Sequence, residues 1–220
     1  MKRITVLFEN DVCMVLNKPA GLAVQGGKGV GVSLDRILEE EFSPRPLLVH
    51  RLDKDTSGLI LVAKNREAAV RFSALFAGEK GGQNRDILKR YLAVCAGRPE
   101  PGQGVISLDL PVRGEPKRSR TAYRLLAERD GFSLLELELG TGRMHQIRRH
   151  LAIIGHPVLG DDKYGNFTLN RELRKTRGLR RLLLHASRLL IDGDAPGFTL
   201  DVTAPLPDYF AGFPGSATNC

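Results

Sequence analysis

Residues 50–59, His-Arg-Leu-Asp-Lys-Asp-Thr-Ser-Gly-Leu, place a highly charged segment between two short apolar runs. The runs, residues 47–49 and 59–63, have the length and the flanking turn residues of β-strands. Five side chains of the segment are ionisable: His50, Arg51, Asp53, Lys54 and Asp55. Because such groups are costly to bury, the pattern predicts a tight loop on a rigid strand base, where catalytic groups tend to lie.

The cysteine content and the N-terminal residues indicate the cellular compartment of the protein. The 220 residues, 42% of them apolar, are enough to bury a full core. Cys13, Cys95 and Cys220 are odd in number and widely spaced, which does not fit a zinc site or a redox dithiol. The apolar stretch at residues 4–8 is too short for a signal-peptide core or a membrane span. We therefore expect a cytoplasmic protein that does not bind a membrane.

Positive charge is concentrated in residues 143–188. This window holds eleven Lys or Arg against three Asp or Glu, which equals the net charge of +8 of the whole chain. A concentrated basic surface is typical of proteins that bind polyanions, and nucleic acid is the commonest one. A solvated basic face without a partner is the alternative.

Hydrophobic periodicity predicts an α+β protein, a mixed α/β arrangement with a mainly antiparallel central sheet flanked by helices. Residues 109–120 are predicted to be a long polar connection that contacts RNA, with Arg118 among its cations. Strands are predicted at residues 4–8, 12–17, 47–49, 59–63, 89–96, 121–127, 132–139, 182–191 and 198–202. Helices are predicted at residues 34–42, 66–77, 145–154 and 168–177.

The same hydrophobic periodicity predicts the faces on which Tyr91, Arg148 and Arg149 lie. Along the strand at residues 89–96, Tyr91 alternates with Leu92 and Val94, so it is predicted to lie on the other face. On the helix at residues 145–154, Arg148 is predicted at the border of the apolar face and Arg149 on the outward side. A border arginine can bend into a cleft, whereas an outward one meets solvent or phosphate.

Residues 50–59 resemble the signature of the RluA-type pseudouridine synthases, and supporting segments follow in the family's order over nearly the whole chain. Residues 24–27 and 161–165 look closest to the RluC-like branch that modifies large-subunit ribosomal RNA. Members of that branch often carry an upstream S4-like domain, which we do not expect here because the first predicted strand begins at Ile4. The supporting segments are residues 17–22 (Asn-Lys-Pro-Ala-Gly-Leu), 89–93 (Lys-Arg-Tyr-Leu-Ala), 142–148 (Gly-Arg-Met-His-Gln-Ile-Arg), 155–161 (Gly-His-Pro-Val-Leu-Gly-Asp) and 182–186 (Leu-Leu-Leu-His-Ala).

The resemblance implies isomerisation of uridine to pseudouridine in RNA without a metal or cofactor. Asp53 maps onto the family's catalytic aspartate, which either attacks the sugar carbon or removes a neighbouring proton to give a glycal. Arg148 maps onto the active-site basic residue, which would offset the desolvation of the carboxylate. Tyr91 maps onto the tyrosine that lies against the target base. The three are the predicted catalytic residues.

The same resemblance, with the basic window, suggests substrate-binding residues. Arg51 would fill the space left by the flipped uridine, and His50 would hold the loop by hydrogen bonds. Leu184 is read either as an apolar wall of the pocket or as core. The remaining predicted RNA contacts are Arg118, Arg143 and Arg149.

We therefore expect one catalytic domain at residues 1–210, a flexible tail at residues 211–220, and a monomer that binds RNA. The RNA is 23S ribosomal RNA by branch resemblance, with transfer RNA as the alternative. A base-releasing N-glycosidase and a non-catalytic RNA-binding protein are the other readings of the same residues. Both lack isomerised uridine as a product.

Overall fold

The computed structural model describes residues 4–27, 31–77, 87–112, 114–192 and 199–215. Within these ranges, no helix combines the length and the apolar character needed to cross a membrane. The helices are α1 (Leu34–Glu41), α2 (Arg66–Ala77), α3 (Gln146–Ile153) and α4 (Phe167–Thr176), followed by a 3-10 turn at Asp208–Phe210. The strands are β1 (Thr5–Glu9), β2 (Cys13–Lys18), β3 (Leu47–Leu48), β4 (Ser57–Ala63), β5 (Ile87–Ala96), β6 (Gln103–Val112), β7 (Glu115–Arg129), β8 (Phe132–Leu139), β9 (Leu184–Ile191) and β10 (Leu200–Thr203).

The chain forms two compact units. The first comprises residues 1–89 and 186–204, and the second comprises residues 90–185 and 205–220. The chain therefore passes from one unit to the other within β5 and again within β9. The single catalytic domain expected at residues 1–210 stays a prediction.

The first unit is built on β4, whose seven residues are all buried. Antiparallel β2 pairs along its whole length, from Cys13 opposite Ala63 to Lys18 opposite Gly58. Strand β1 lies outside β2, the short β3 also pairs with β4, and β10 pairs with β9. Ser33 caps α1 by accepting the Arg36 N–H.

The second unit has a four-stranded antiparallel sheet in the order β5, β8, β7, β6. Each face of the sheet carries its own apolar cluster. Ala93 and Cys95 lie in one cluster, with α3 residues Ile147 and Leu151 and with Tyr91 packed against it. Leu92 and Val94 belong to the other, where α4 packs. The predicted alternation of Tyr91 with Leu92 and Val94 is confirmed.

Most predicted elements are confirmed, with α2 and β8 ending where expected, and the described strands pair mainly antiparallel. Strands β7 and β8 are joined by a hairpin turn at Asp130-Gly131, where both residues adopt positive φ (54° and 76°). The predicted start of the last strand at residue 198 lies outside the described residues. So do residues 216–220 of the expected tail, which stays a prediction, although Phe213 is only 1% exposed.

The predicted polar connection at residues 109–120 is wrong. Strands β6 and β7 pair from Gln103 opposite Arg124 to Val112 opposite Glu115, so Arg118 lies on a strand, opposite Asp109. The alternation was hidden because hydroxyl side chains occupy two of its inward positions. Ser119 and Thr121 are fully buried and hydrogen-bonded to a helix, where apolar residues would have revealed the strand.

Candidate active site

The loop that carries Asp53 is held from below by a fully buried lysine. Lys18, at the end of β2, donates its three ammonium hydrogens to the carbonyl oxygens of Pro19 (3.0 Å), Leu22 (2.8 Å) and Lys54 (2.9 Å). The amide of Gly21 also donates to the Lys54 carbonyl. The residues on either side of Asp53 are thus tied to the segment that follows β2.

Lys18 also sets the electrostatics beneath the loop. Burial lowers its pKa to about 8, while the negative charges of Asp55 and Asp53 act in the opposite direction. A buried cation therefore faces the carboxylates of the loop at neutral pH. The amino-acid sequence alone did not reveal this role of Lys18. The feature that could have indicated it is a lysine at the end of an apolar strand, immediately before Pro-Ala-Gly.

Asp53 itself is half-buried, and its carbonyl oxygen accepts the Thr56 N–H at 3.2 Å, which closes the loop into a turn. Strand β4 starts directly after this turn. At Gly58, which has a φ of +104°, a Cβ atom would lie 2.2 Å from the Ala186 carbonyl oxygen of β9. Only glycine allows this approach, so the base of the loop is fixed in place.

His50 connects the start of the loop to the same strand. The Leu61 N–H donates to its Nε2 at 2.9 Å, and its ring stacks on Phe76 with ring centroids 3.8 Å apart. Burial, and to a smaller degree the nearby Lys89 charge, lower the His50 pKa to about 3. His50 is therefore neutral at physiological pH, with Nε2 as an acceptor. Arg51, the next residue, is exposed.

Arg148 lies in the second unit, on α3, and is held by a bidentate ion pair. Its Nε and Nη2 each lie 2.7 Å from an oxygen of Asp161, and the two side chains are only 5% and 0% exposed. Nη2 also reaches the exposed Asp162 at 3.2 Å, and the guanidinium lies 5.3 Å from the centre of the Tyr164 ring. This geometry fixes the plane of the guanidinium.

Asp161 organises the segment between α3 and α4. Its Oδ1 accepts the N–H groups of Lys163 and Tyr164, both at 2.9 Å, and Asn170 clamps the backbone on either side of it. Burial alone would raise the pKa of Asp161, but the Arg148 hydrogen bonds and the two backbone N–H groups hold it below its usual range. In the amino-acid sequence, Asp161 stands within a motif and has no role of its own assigned. Four hydrogen bonds to one carboxylate, from Arg148, Lys163 and Tyr164, are visible only in the structure and reveal its role.

A buried polar network connects α3 to β7. The amide of Gln146 donates to the Arg120 carbonyl and to the Thr121 hydroxyl, and accepts from the Thr141 hydroxyl and the Arg143 N–H. One turn later, His150 contacts Ser119 and Thr121 with its two ring nitrogens, at 2.9 and 3.0 Å. Burial, and then the Arg149 charge, lower the His150 pKa to about 4. The helix that carries Arg148 is thereby fixed to its sheet.

A family model described as RNA pseudouridylate synthase matches residues 12–153. The chain belongs to this family. Its relatives include the ribosomal large subunit pseudouridine synthase C of Rickettsia prowazekii (strain Madrid E), 34% identical over 93% of this chain and 69% of that protein. The enzyme of the same name from Yersinia pestis is 36% identical over 91% of this chain and 65% of that protein. The protein is thus an enzyme that isomerises uridine in RNA.

Solved structures agree with the family at the level of the fold. Human RNA Pseudouridylate Synthase Domain Containing 4 superposes with a TM-score of 0.76, at 26% identity, and the match covers 93% of this chain and 89% of that one. Human RNA Pseudouridylate Synthase Domain Containing 1 gives a TM-score of 0.74 at 28% identity, over 93% and 84% of the two chains.

The other predicted site residues of this pseudouridylate synthase lie in the second unit. Tyr91 is half-buried on β5, opposite Leu137 of β8. Leu184 is 3% exposed within the cluster that Tyr91 borders, which is the core position given as its alternative. Arg143, which precedes α3, and Arg149, in its first turn, are half-buried, and Arg118 is exposed on β7.

The structure groups these residues by unit. Asp53, His50 and Arg51 share one loop of the first unit, and Tyr91 and Arg148 belong to the second. Within the described ranges, no group of three or more His, Cys, Asp or Glu side chains is arranged to hold a metal ion.

Proposed function

We propose that this pseudouridylate synthase converts specific uridines of large-subunit ribosomal RNA to pseudouridine. Support for this target comes from the alignment of more than nine tenths of the chain with proteins named ribosomal large subunit pseudouridine synthases, including one from Nitrosomonas europaea at 37% identity. In the reaction the bond from the ribose carbon to N1 breaks, a bond to C5 forms, and the C5 proton is lost while N1 gains one. The sum is an isomerisation, so no oxidant, water or cofactor is consumed.

Asp53 is the proposed catalytic carboxylate, acting either as a nucleophile on the sugar or as a base. The support for this role comes from the surroundings of Asp53 within the first unit. It lies on a turn fixed by β4 and by Gly58, and the Lys54 carbonyl next to it accepts a hydrogen bond from the buried ammonium of Lys18. Tyr91 and Arg148 complete the proposed catalytic set. The proposed contacts to RNA are His50, Arg51, Arg118, Arg143, Arg149 and Leu184.

The remaining proposals concern the oligomeric state, the metal requirement and the cellular compartment of the protein. We propose a monomer that works without metal in the reducing cytoplasm, where the buried free thiols of Cys13 and Cys95 persist. Light scattering after gel filtration tests the oligomeric state, and activity after dialysis against EDTA tests the metal.

Mapping carbodiimide-modified uridines in total RNA tests the target. RNA from cells with the gene deleted should lose a modification in 23S ribosomal RNA, and the wild-type gene should restore it. Loss confined to transfer RNA would refute the ribosomal target but not the reaction, and free uracil as the product would identify a glycosidase.

Asp53→Asn tests the role of the carboxylate. We expect it to abolish pseudouridine formation, because an amide neither attacks the sugar nor accepts the proton, and to leave RNA affinity within about twofold. Asp11→Asn makes the same chemical change on an exposed turn and should keep full activity. Equal activity of Asp53→Asn and wild type would exclude Asp53 as the catalytic residue.

A further inference from the structure

The outward side of α4 carries three cations and an aromatic ring. Leu169 and Leu173 pack this helix on the apolar cluster of the second unit. At 100° per residue, Phe167, Arg171, Arg174 and Lys175 fall within an arc of about 100° on the opposite side. All four are exposed, and the Phe167 side chain, at 57%, is among the most exposed large apolar groups of the described chain.

In the described part of the chain, these cations have no acidic partners. Within the described residues, no ion pair joins Arg171, Arg174 or Lys175 to a carboxylate, nor does one reach the exposed Arg180 that follows the helix. Attraction to the negative end of the helix explains cations in the last turn, which holds Arg174 and Lys175. It does not explain Arg171 in the middle of α4 or Arg180 beyond its end.

Arg177, in the same stretch, has a different role. Its Nη2 lies 3.0 Å from an oxygen of Asp130, its Nη1 donates to the Gly212 carbonyl, and its guanidinium lies 5.3 Å from the centre of the Phe132 ring. Arg177 therefore ties α4 to the β7–β8 turn. The basic stretch divides into one structural arginine and a group of cations that face solvent.

We propose that the α4 face, made of Phe167, Arg171, Arg174, Lys175 and Arg180, binds the RNA substrate outside the target nucleotide. The cations bind phosphates of the RNA backbone, since residues four apart on a helix lie about 6 Å from each other and form a row of charge. Phe167 stacks on an unpaired base, because every base offers a ring face and an exposed aromatic ring beside cations is typical of single-strand contacts. This inference rests on the proposed function in taking ribosomal RNA as the substrate.

The salt dependence of RNA affinity tests the α4 face. The triple variant Arg171→Gln, Arg174→Gln, Lys175→Gln is compared with wild type on a 23S ribosomal RNA fragment that contains the mapped uridine. Losing three phosphate contacts should reduce the magnitude of the slope of log K, the RNA association constant, against log salt concentration by about 2. Affinities that converge near 1 M salt should then differ by about 100-fold at 0.1 M. The melting temperature should fall only slightly, because Arg174 and Lys175 lose their attraction to the negative end of the helix.

Two control variants separate this contact from other effects of charge. Arg36→Gln, Arg66→Gln, Arg71→Gln changes the net charge equally on exposed positions of the first unit, and should leave the salt slope unchanged. Arg177→Gln should lower the melting temperature and leave the slope unchanged. Equal slopes of the α4 triple variant and wild type, or an equal loss in the first control, would overturn the proposal.

Phe167→Ala tests the aromatic contact. We expect affinity to fall by about 5-fold or more with an unchanged salt slope, because a stacked base contributes affinity without displacing counterions. Unchanged affinity would exclude the stacking contact.

Conversion of uridine to pseudouridine by wild type and by Asp53→Asn is measured in parallel. If wild type converts and the α4 triple variant binds normally, the α4 proposal fails alone, whereas absence of conversion by wild type refutes the proposed function.

Discussion

His50 shows how a single residue of the Asp53 loop makes the fold sensitive to acid. Its folded pKa of about 3 lies below the ordinary 6.5 of a histidine. Between these values the unfolded chain binds a proton that the folded chain does not, so stability falls as the pH drops from 6.5 towards 3. His150, with a folded pKa of about 4, acts in the same direction.

We expect His50→Gln to reduce this acid sensitivity. The glutamine amide oxygen can still accept the Leu61 N–H, but it does not titrate. Between about pH 4.5 and 6, the free energy of unfolding should depend on pH less steeply than in wild type, by about 1.4 kcal/mol per pH unit. Urea unfolding at several pH values measures both slopes. Parallel curves for the two proteins would show that His50 does not carry the effect.

The residues that the sequence identified and those it missed differ in a physical way. The sequence pattern points to Asp53 and His50 because a charged segment between two apolar runs is visible without the fold, and the resemblance assigns Asp53 its proposed role. Lys18 and Asp161 were missed because their importance comes from partners brought near by folding. The Lys54 carbonyl lies 36 positions from Lys18, and Arg148 lies 13 positions from Asp161.

At the scale of elements, the segment between α3 and α4 serves to fix Arg148. We expect Asp161→Asn to lower kcat by about 10- to 100-fold with little change in KM, because the amide breaks the bidentate pair and lets the guanidinium move. The exposed Asp162 provides the matched control, and Asp162→Asn should have almost no effect. Single-turnover rates on the 23S fragment, together with melting temperatures, measure this. A loss of melting temperature with unchanged kcat would show that Asp161 only stabilises the fold.

The β6–β7 hairpin shows the limit of pattern reasoning for elements. Strands and helices with apolar inward positions, such as α2 and β8, could be predicted to the residue. Strand β6 also has apolar inward positions, Ile106, Leu108 and Leu110, and could be predicted from that alternation. The start of β7 could not, because its inward positions include Ser119 and Thr121, which pair with His150 and Gln146 of α3. Where inward side chains make hydrogen bonds, only the partner helix distinguishes a strand from a loop.

At the scale of the whole molecule, the path of the chain predicts that the two units unfold together. The chain passes between them within β5 and within β9, so each of these strands has residues in both units. All four tyrosines, Tyr91, Tyr123, Tyr164 and Tyr209, lie in the second unit, and the chain has no tryptophan. Tyrosine fluorescence therefore reports on the second unit, while circular dichroism reports on both.

Lys18→Met, a change confined to the first unit, tests this coupling. It removes the common donor of three carbonyl oxygens, of which that of Lys54 still accepts the Gly21 N–H, so we expect a loss of about 2–4 kcal/mol in the free energy of unfolding. If the units unfold together, the urea midpoint seen by tyrosine fluorescence moves as far as the midpoint seen by circular dichroism. A fluorescence midpoint that stays at its wild-type value while the circular dichroism curve splits would show independent units. Lys64→Met removes a partly exposed lysine paired with Glu9 in the same unit. It should lower the free energy of unfolding by less than about 1 kcal/mol and hardly move either midpoint, because surface ion pairs contribute little.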